Sequence, residues 1–344
     1  MIIKKNIGID LGTHTTQVYL EKRGIIINEP SIVAFNNRTR KIVAHGFEAK
    51  KMLSRTPAHI TALRPIVNGV IADFDMAREM IQRFLRSEKF PRALITRMII
   101  SVPTNLTEVE RKSVEDLLKE SGASSVHLIE QPLAAAFGSH LDINSPTAYL
   151  IVDIGAGTTD MAIISMNGIV VSKRLKIAGD YLDQEIIKAV RDELKLHIGE
   201  PTAEDIKINA GSAVPFGEKL ETIIRGRDMI SGLPREITIK DTQVRFWLNK
   251  PLKMLVDALK DLIEIAPPEL VGDIHKNGIY MCGGGSLLRG INQLFEKEVG
   301  VAVWTVEEPL TSIARGTGLI AENLREYGHV LNNFPRFKLD KSVL

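Results

Sequence analysis

Two distant segments of this chain carry the same eight-residue pattern, and this duplication constrains the fold more than any other feature of the sequence. The first segment is Ile-Asp-Leu-Gly-Thr-His-Thr-Thr at 9–16, and the second is Val-Asp-Ile-Gly-Ala-Gly-Thr-Thr at 152–159. Corresponding positions are 143 residues apart. Each segment has the form of a strand, a tight turn and a second strand. The repeat therefore predicts two similar half-molecules that face each other across a cleft.

The residue types in the two turns favour the binding of a polyphosphate. Glycine permits positive φ and lets the backbone approach a ligand closely, and successive backbone N–H groups in such a turn form an anion site. Asp10 and Asp153 end the preceding strands; a carboxylate there repels phosphate but can hold a hydrated Mg²⁺. An ordinary Asp-Gly hairpin would explain one copy, whereas two copies in register favour a shared anionic ligand.

The composition is that of a globular protein with two domains. The chain has 344 residues, of which 44% are hydrophobic and 25% charged, and this length exceeds what one hydrophobic core usually organises. The formal net charge of +2 argues against a nucleic-acid partner. The single cysteine, Cys282, excludes an internal disulfide and is typical of a reducing cytosol. No apolar run approaches the roughly 20 residues that span a bilayer.

Apolar, β-rich runs alternate with helical patterns along the chain, which is typical of an α/β protein. A capping box at 107–110 predicts the start of one helix, and apolar residues at helical spacing predict another over 181–196. Small residues at 309–318 predict a helix that crosses a neighbour closely. Turn-forming residues at 140–147 predict the boundary between the halves. The predicted strands are Asn6–Asp10, Thr15–Lys22, Gly24–Ile27, Arg97–Val102, Tyr149–Asp153, Thr159–Met166, Ile169–Ile177 and Gly278–Cys282.

A third glycine-rich turn lies near the end of the chain. Residues 281–290, Met-Cys-Gly-Gly-Gly-Ser-Leu-Leu-Arg-Gly, run from a strand through a triple glycine to a helix start. Such a turn brings the backbone against a flat or anionic ligand, although alone it is a common feature. The sequence contains no Gly-x4-Gly-Lys-Ser/Thr motif, which excludes a P-loop.

Together, the two repeated hairpins and the triple glycine resemble the motifs of the actin/Hsp70/sugar-kinase ATPase superfamily. In that superfamily the first two are the phosphate motifs and the third is the adenosine motif. Within it, the chain resembles the MreB family of bacterial actin homologues over nearly its whole length. The matching segments are Gly24–Ser31, Thr107–Arg111, His127–Gly138, Ile151–Ser165, Gly179–Asp183, Ile198–Lys207, Gly226–Pro234 and Cys282–Gly290.

The resemblance implies an α/β, actin-like (ribonuclease H-like) ATPase fold, in which two duplicated domains enclose a central nucleotide cleft and each half is subdivided. We expect domain I to comprise residues 1–142 and 309–344, with a small subdomain at roughly 32–65. We expect domain II to comprise residues 143–308, with a small subdomain at roughly 184–250.

The resemblance also implies a role for each motif residue. Asp10 and Asp153 hold Mg²⁺ through water, while Gln131 positions the attacking water with Thr158 as its partner. The implied cofactors are ATP or ADP and Mg²⁺. The residues implied to contact the nucleotide are Gly12, Thr13, His14 and Thr15 on the first phosphate turn, Gly155, Ala156 and Gly157 on the second, Asp180, Glu204 and Lys207 on the nucleoside side, and Gly283, Gly284, Gly285 and Ser286 beneath the adenosine.

Three positions depart from the family pattern. Members usually carry Ala-Asn where this chain has His14 and Thr15, and the bulkier His14 either hinders the phosphates or adds a donor. Ala156 replaces the middle glycine of the second turn, where positive φ would be unfavourable for alanine. Gln131 replaces a glutamate, so it can orient water but cannot accept its proton. Because phosphoryl transfer relies mainly on positioning and electrostatics, we expect slow but non-zero hydrolysis.

These features predict a filament-forming, actin-like cytoskeletal ATPase involved in cell shape, in which slow Mg²⁺-dependent ATP hydrolysis regulates polymerisation. Two alternatives remain open. His14 and Gln131 are compatible with a nucleotide-binding scaffold that has little turnover. A small-molecule kinase of the same superfamily would need a base for a substrate hydroxyl, and the sequence offers no candidate. The expected partners are further copies of this chain and other cytoskeletal or shape-complex proteins, with no nucleic acid.

Proteins of this family contact the inner face of the cytoplasmic membrane through a short apolar loop or an N-terminal amphipathic helix. The corresponding loop is 89–94, Lys-Phe-Pro-Arg-Ala-Leu, in which Phe90 and Leu94 stand beside basic residues and could insert shallowly. A solvated loop explains the segment equally well. We therefore expect a cytoplasmic protein that is peripheral at the cytoplasmic membrane.

Overall fold

Residues 4–88, 90, 94–217 and 219–332 are described by the structure, a computed structural model, and they alternate between strands and helices. The strands that precede residue 131 are β1 (Lys4–Leu11), β2 (Thr15–Leu20), β3 (Gly24–Pro30), β4 (Val33–Asn36), β5 (Ile42–His45), β6 (Ile60–Leu63), β7 (Ile66–Val67), β8 (Val70–Ile71), β9 (Leu94–Val102) and β10 (Ser125–Glu130). The helices of this segment are α1 (Gly46–Met52), α2 (Phe74–Leu85) and α3 (Glu108–Glu120).

The remainder of the described chain follows the same alternation. Its strands are β11 (Tyr149–Ile154), β12 (Thr159–Ser165), β13 (Gly168–Leu175), β14 (Leu196–His197), β15 (Glu221–Asp228), β16 (Pro234–Lys240), β17 (Ile279–Cys282) and β18 (Val303–Thr305). Its helices are α4 (Gln131–Gly138), α5 (Gly179–Leu194), α6 (Glu200–Ala210), α7 (Asp241–Glu264), α8 (Pro268–Asn277), α9 (Ile291–Val299), α10 (Ser312–Glu322) and α11 (Leu324–Tyr327), with short 3-10 helices at Gly284–Leu287 and Val330–Asn332.

Two five-stranded sheets show that the sequence repeat is a structural repeat. Their strand orders are β3-β2-β1-β9-β10 and β13-β12-β11-β17-β18. In each sheet the repeated segment forms an antiparallel hairpin, and the first strand of that hairpin pairs in parallel with the next strand along. Leu11 pairs with Thr16 in the first hairpin, and Ile154 pairs with Thr159 at the equivalent positions of the second. The prediction of two similar halves is confirmed.

Helices α4 and α10 pack between the two sheets and connect the halves. Their apolar faces join residues of both sheets, such as Ile99 and Ile151, in one buried cluster. The helices cross very closely, because a Cβ added at Gly138 would lie 1.8 Å from the Ser312 carbonyl oxygen and one added at Gly316 would lie 1.8 Å from that of Ala134. The predicted close crossing by small residues is therefore confirmed.

Two smaller sheets flank the cleft. Strands β4, β5 and β6 form a three-stranded sheet against α1, and strands β14, β15 and β16 form another near α6 and α7. The first small sheet spans 33–63 and the second spans 196–240.

The predicted elements are present, with strand ends that shift by up to three residues. Thr107 forms the predicted capping box with Glu110 at the start of α3. Helix α10 begins at Ser312 rather than Pro309, because residues 308–311 form a turn and the Pro309 carbonyl accepts the Gly283 N–H at 3.0 Å. None of the described helices is long and apolar enough to cross a membrane.

Candidate functional site

A cavity of about 580 Å³ lies between the two halves, where both repeated turns open. This volume is in the range of small-molecule sites. Of the site residues predicted from the sequence, those that line it are Asp10, Gly12, Thr13, His14, Thr15, Gln131, Asp153, Gly155, Ala156, Gly157, Thr158, Glu204, Lys207, Gly283, Gly284 and Gly285. The other two lie close by: Asp180 contacts His14, and Ser286 donates to the Gly283 carbonyl at 2.7 Å.

The two repeated turns have the same internal hydrogen bond. The Gly12 N–H donates to the Thr15 carbonyl at 3.0 Å, and the Gly155 N–H donates to the Thr158 carbonyl at 2.9 Å. Neither glycine takes positive φ, and neither does Ala156. The expectation of positive φ in these turns is therefore wrong: Gly12 is needed for space, since a Cβ there would lie 2.8 Å from the Thr15 carbonyl oxygen. Ala156 fits the turn because its φ is not positive, so a side chain there causes no backbone strain.

A third turn, which the sequence analysis missed, joins the two repeated turns. It connects β7 to β8, and its Gly69 N–H donates to Thr13 Oγ1 at 3.0 Å. A Cβ added at Gly157 would lie 2.5 Å from Thr13 Oγ1 and 2.8 Å from Asn68 Cα, so all three turns are in contact. Asn68 and Gly69 both take positive φ, and the Asn-Gly pair, typical of a tight hairpin, was the available signal.

The triple glycine packs directly onto the second repeated segment. Gly283 has φ +76°, and a Cβ there would lie 2.4 Å from the Ile154 carbonyl oxygen. Gly285 is equally constrained, since its Cβ would lie 2.2 Å from the Ile154 side chain. Glycine is therefore required here both for its backbone conformation and for the close approach of β11, and the turn forms one wall of the cavity.

Asp10 and Asp153 are buried carboxylates beside the two repeated turns. Burial raises the pKa of Asp10 to about 6, although a hydrogen bond from Ser101 at 2.8 Å favours the charged form. Burial raises the pKa of Asp153 to about 8, and the negative charges of Asp160 and Asp10 add to the effect. Two buried carboxyl groups that repel each other when both are ionised fit a hydrated divalent cation, which would favour their charged forms and relieve that repulsion.

Gln131 and Thr158 face the cavity from opposite halves. Gln131 is the first residue of α4, is only 6% exposed, and its Oε1 makes no hydrogen bond among the described residues. Thr158 ends the second repeated turn and is also 6% exposed. A buried amide oxygen without a partner can accept a hydrogen bond from a water in the cavity. Gln131 can therefore hold a water at the cavity wall, while the Thr158 hydroxyl interacts with the Asp160 carboxylate.

Charged side chains of both halves meet on the side predicted for the nucleoside. Lys207 donates to Asp183 at 2.8 Å and to the Gly179 carbonyl at 3.1 Å, so it ties α6 to the start of α5. His14 Nε2 lies 2.5 Å from an Asp180 carboxylate oxygen and its Nδ1 lies 3.9 Å from Glu204. The His14 imidazole is thus turned toward carboxylates of the other half.

The structure contradicts the expectation that Phe90 is presented to a membrane. Phe90 is 8% exposed and belongs to the apolar core of the first half, because its backbone N–H bonds to the Ser87 carbonyl and closes the end of α2 inward. The residues Lys89 and 91–93 lie outside the described part of the chain, as does the side chain of Leu94.

The duplicated sheets, the two connecting helices and the cleft with its repeated turns define an actin-like fold. The family model described as MreB/Mbl protein matches residues 4–329. The chain therefore belongs to the MreB/Mbl family.

Relatives that match over nearly their whole length are found in several bacteria. The chain is 43% identical to the cell shape-determining protein Mbl of Bacillus subtilis over 93% of this chain and 96% of that protein. It is 41% identical to the cell shape-determining protein MreB of Escherichia coli K12 over 95% of this chain and 96% of that protein. The crystal structure of MreB5 of Spiroplasma citri bound to AMPPNP superposes with a TM-score of 0.90 at 36% identity, covering 95% of this chain and 98% of that one.

Proposed function

We propose that this protein binds ATP and Mg²⁺ in the cleft, assembles into filaments that contribute to cell shape, and hydrolyses ATP slowly. The observation that carries the proposal is the convergence of both repeated turns and the buried pair Asp10 and Asp153 on one cavity. Its size of about 580 Å³ and the backbone turns in its wall suit a nucleoside polyphosphate. The solved relative from Spiroplasma citri, with AMPPNP, supports this choice of ligand.

The proposed placement follows from the chemistry of the walls. The backbone of the turns at 12–15 and 155–158 binds the phosphates, because its N–H groups are the donors that anions require. Asp10 and Asp153 hold Mg²⁺, which when bound neutralises charge on the phosphates. The triple glycine, with Glu204 and Lys207, encloses the nucleoside end.

Hydrolysis is proposed to depend on Gln131 and Thr158. Each is a hydrogen-bonding side chain that is almost fully buried at the cavity wall, so each can orient a water without competition from bulk solvent. Gln131 supplies no carboxylate to accept a proton, and general-base catalysis contributes about 10²–10⁴-fold where it operates. A low turnover rate follows. The amide of Gln131 in place of a carboxylate also favours the second candidate, a nucleotide-binding scaffold with little turnover.

Assembly is proposed because a single subunit is too small to define the shape of a cell. A chain of this length has a radius of gyration of about 20 Å, whereas a cell boundary extends over far greater lengths. Repeated head-to-tail contacts that do not close into a ring produce filaments from identical subunits. ATP, by favouring a closed cleft, would bias the subunit toward the conformation that adds to the polymer.

Peripheral membrane contact and contact with other shape-complex proteins are part of the same proposal. Phe90 does not support it, because its side chain is buried. Co-sedimentation with vesicles of anionic and neutral lipid tests the membrane contact: pelleting that depends on anionic lipid supports it, and equal recovery with and without vesicles contradicts it.

Electron microscopy and phosphate release, measured on the same sample, test the main proposal. Filaments with ATP and AMPPNP, together with slow phosphate release from ATP, are the expected result. Filaments without phosphate release would instead establish the scaffold. If no filaments form with either ATP or AMPPNP, at concentrations where ATP binding is saturated, the polymer proposal is contradicted. If the protein binds neither nucleotide, the assignment of the cleft is contradicted.

A further inference from the structure

Four charged or titratable side chains cross the cleft and connect its two halves on the nucleoside side. His14 and Lys50 belong to the first half, in the first repeated turn and in α1, while Asp180 and Glu204 belong to the second half, in α5 and α6. His14 contacts Asp180 at 2.5 Å and Glu204 at 3.9 Å, and Lys50 Nζ contacts Glu204 at 3.6 Å. We call this set the clasp.

The clasp joins the two phosphate turns directly. His14 is part of the first turn, and the Asp180 backbone N–H donates to the Ala156 carbonyl of the second turn at 2.8 Å. The neighbouring Gly179 N–H donates to the Gly155 carbonyl at 3.1 Å, so the start of α5 is fixed to that turn. A rigid path therefore runs from one turn through His14 and Asp180 to the other, and the turns cannot separate unless this contact breaks.

The second link joins the small sheets. Lys50 lies on α1, which packs on β4 and β5, and Glu204 lies on α6, which packs on β15. Glu204 also lines the cavity, whereas Lys50 does not. The clasp thus combines a contact made by His14, which lines the cavity, with a contact made by Lys50 from outside the cavity lining, and both link the two halves that enclose a ligand filling the cavity.

We propose that the clasp holds the cleft closed over a bound nucleotide and slows its release. In this proposal His14, in the first turn, is a positioning residue that holds the two halves together through Asp180. This inference rests on the proposed function of the cleft as a nucleotide site. It assigns to His14 a contact with the opposite half in place of the phosphate contact that its position in the motif implies.

The clasp residues are partly exposed, and this sets the expected size of the effect. The side chains of His14 and Asp180 are 22% and 37% exposed, and those of Glu204 and Lys50 are 27% and 47% exposed. Exposed or partly exposed pairs are weakened by solvent screening, while a short contact to a carboxylate is among the stronger hydrogen bonds. We expect loss of the His14 contact to accelerate release about 3- to 10-fold, and loss of the Lys50 contact about 2- to 4-fold.

The experiment measures dissociation and association of fluorescent ADP by stopped flow. His14→Ala and Lys50→Glu should release the nucleotide faster, with association unchanged or faster because the cleft opens more often. Lys51→Glu is the matched control: it makes the same charge change one residue away, where the lysine pairs with Glu48 of its own helix. Lys50→Glu is especially informative, since Lys50 does not line the cavity and cannot act by direct contact.

A double-mutant cycle separates the clasp from independent ligand contacts. If His14 and Asp180 act through each other, Asp180→Ala should add little to the effect of His14→Ala, whereas independent contacts multiply. Equal release rates in wild type, His14→Ala and Lys50→Glu, or multiplicative effects in the cycle, overturn the clasp. Wild-type protein that binds no fluorescent ADP overturns the proposed function instead, so the two failures are distinguishable.

Discussion

Replacing glycine by alanine should destabilise the protein at the crossing of α4 and α10 but stabilise it at an open helical site in α8. In Gly316→Ala, the added Cβ would lie 1.8 Å from the Ala134 carbonyl oxygen and 3.0 Å from the Gly138 N. Ordinary contact needs about 3.4 Å, so the two backbones must separate by about 1.6 Å or distort. Gly272→Ala places the same methyl group in α8, where no atom of the described residues beyond its own stretch of helix lies within 4 Å.

The two substitutions share the intrinsic helical preference of alanine, which favours it over glycine by up to about 1 kcal/mol. Gly272→Ala should therefore stabilise the protein by about 0.5–1 kcal/mol. Gly316→Ala has the same gain, but overpacking typically costs 1–3 kcal/mol, and the clash is with backbone that cannot rotate away. We expect a net destabilisation of about 2 kcal/mol.

Thermal unfolding followed by far-ultraviolet circular dichroism measures both variants against wild type. With a shift of roughly 2–4 °C per kcal/mol for a domain of this size, Gly316→Ala should melt about 4–8 °C lower and Gly272→Ala about 1–4 °C higher. A Gly316→Ala variant that melts at or above wild type would refute the close crossing. Because α4 begins with Gln131, the same variant should also release phosphate more slowly.

Three further predictions concern single side chains. Gln131→Glu should increase the rate of phosphate release, because a carboxylate can also accept a proton; no increase would contradict the role given to Gln131. Burial raises the pKa of Asp183 to about 6, although Lys207 opposes the shift. Asp183 therefore binds its proton more tightly in the folded protein than in the unfolded chain. Its contribution to stability falls as the pH rises from about 4 through 6. Asp183→Asn should then gain about 1 kcal/mol relative to wild type between pH 5 and pH 7.5, measured by urea unfolding; a pH-independent difference would contradict the shift. Phe90→Ser should lower the free energy of unfolding by about 3 kcal/mol or more and leave vesicle binding of the folded protein unchanged. A variant with normal stability that no longer binds vesicles would show that Phe90 contacts the membrane after all.

The two repeated turns show how sequence reasoning brought the right residues together by a partly incorrect argument. The spacing of Gly12 and Gly155 placed both turns on one cavity, as the structure shows. Neither residue takes the positive φ that is expected of a glycine in such a turn. A Cβ would lie 2.8 Å from the Thr15 carbonyl oxygen at Gly12, which excludes it, and 3.2 Å from the Thr158 carbonyl oxygen at Gly155, which is a tight contact. Such a contact depends on the path of the folded turn, which a one-dimensional pattern does not contain.

Phe90 and the turn at 68–69 show where local pattern was insufficient. An aromatic residue between basic and proline residues is compatible with a membrane loop or with a buried loop end, and only packing against the core distinguishes them. The Asn68-Gly69 pair predicts a hairpin turn but not its location. The folded chain places it against the two repeated turns, which lie far from it in sequence on either side.

The sequence by itself determined the duplication, the alternation of strands and helices, the three glycine-rich turns and the family, because these features are encoded in residue type and spacing. The tertiary structure decided which side chains meet across the cleft. In the sequence, His14 is only an unusual residue in the first repeated turn. In the folded chain, its side chain contacts Asp180 of the opposite half. The physical reason is that each half specifies its own backbone through local hydrogen bonds and burial, whereas a contact between halves depends on how the connecting helices bring the two turns together.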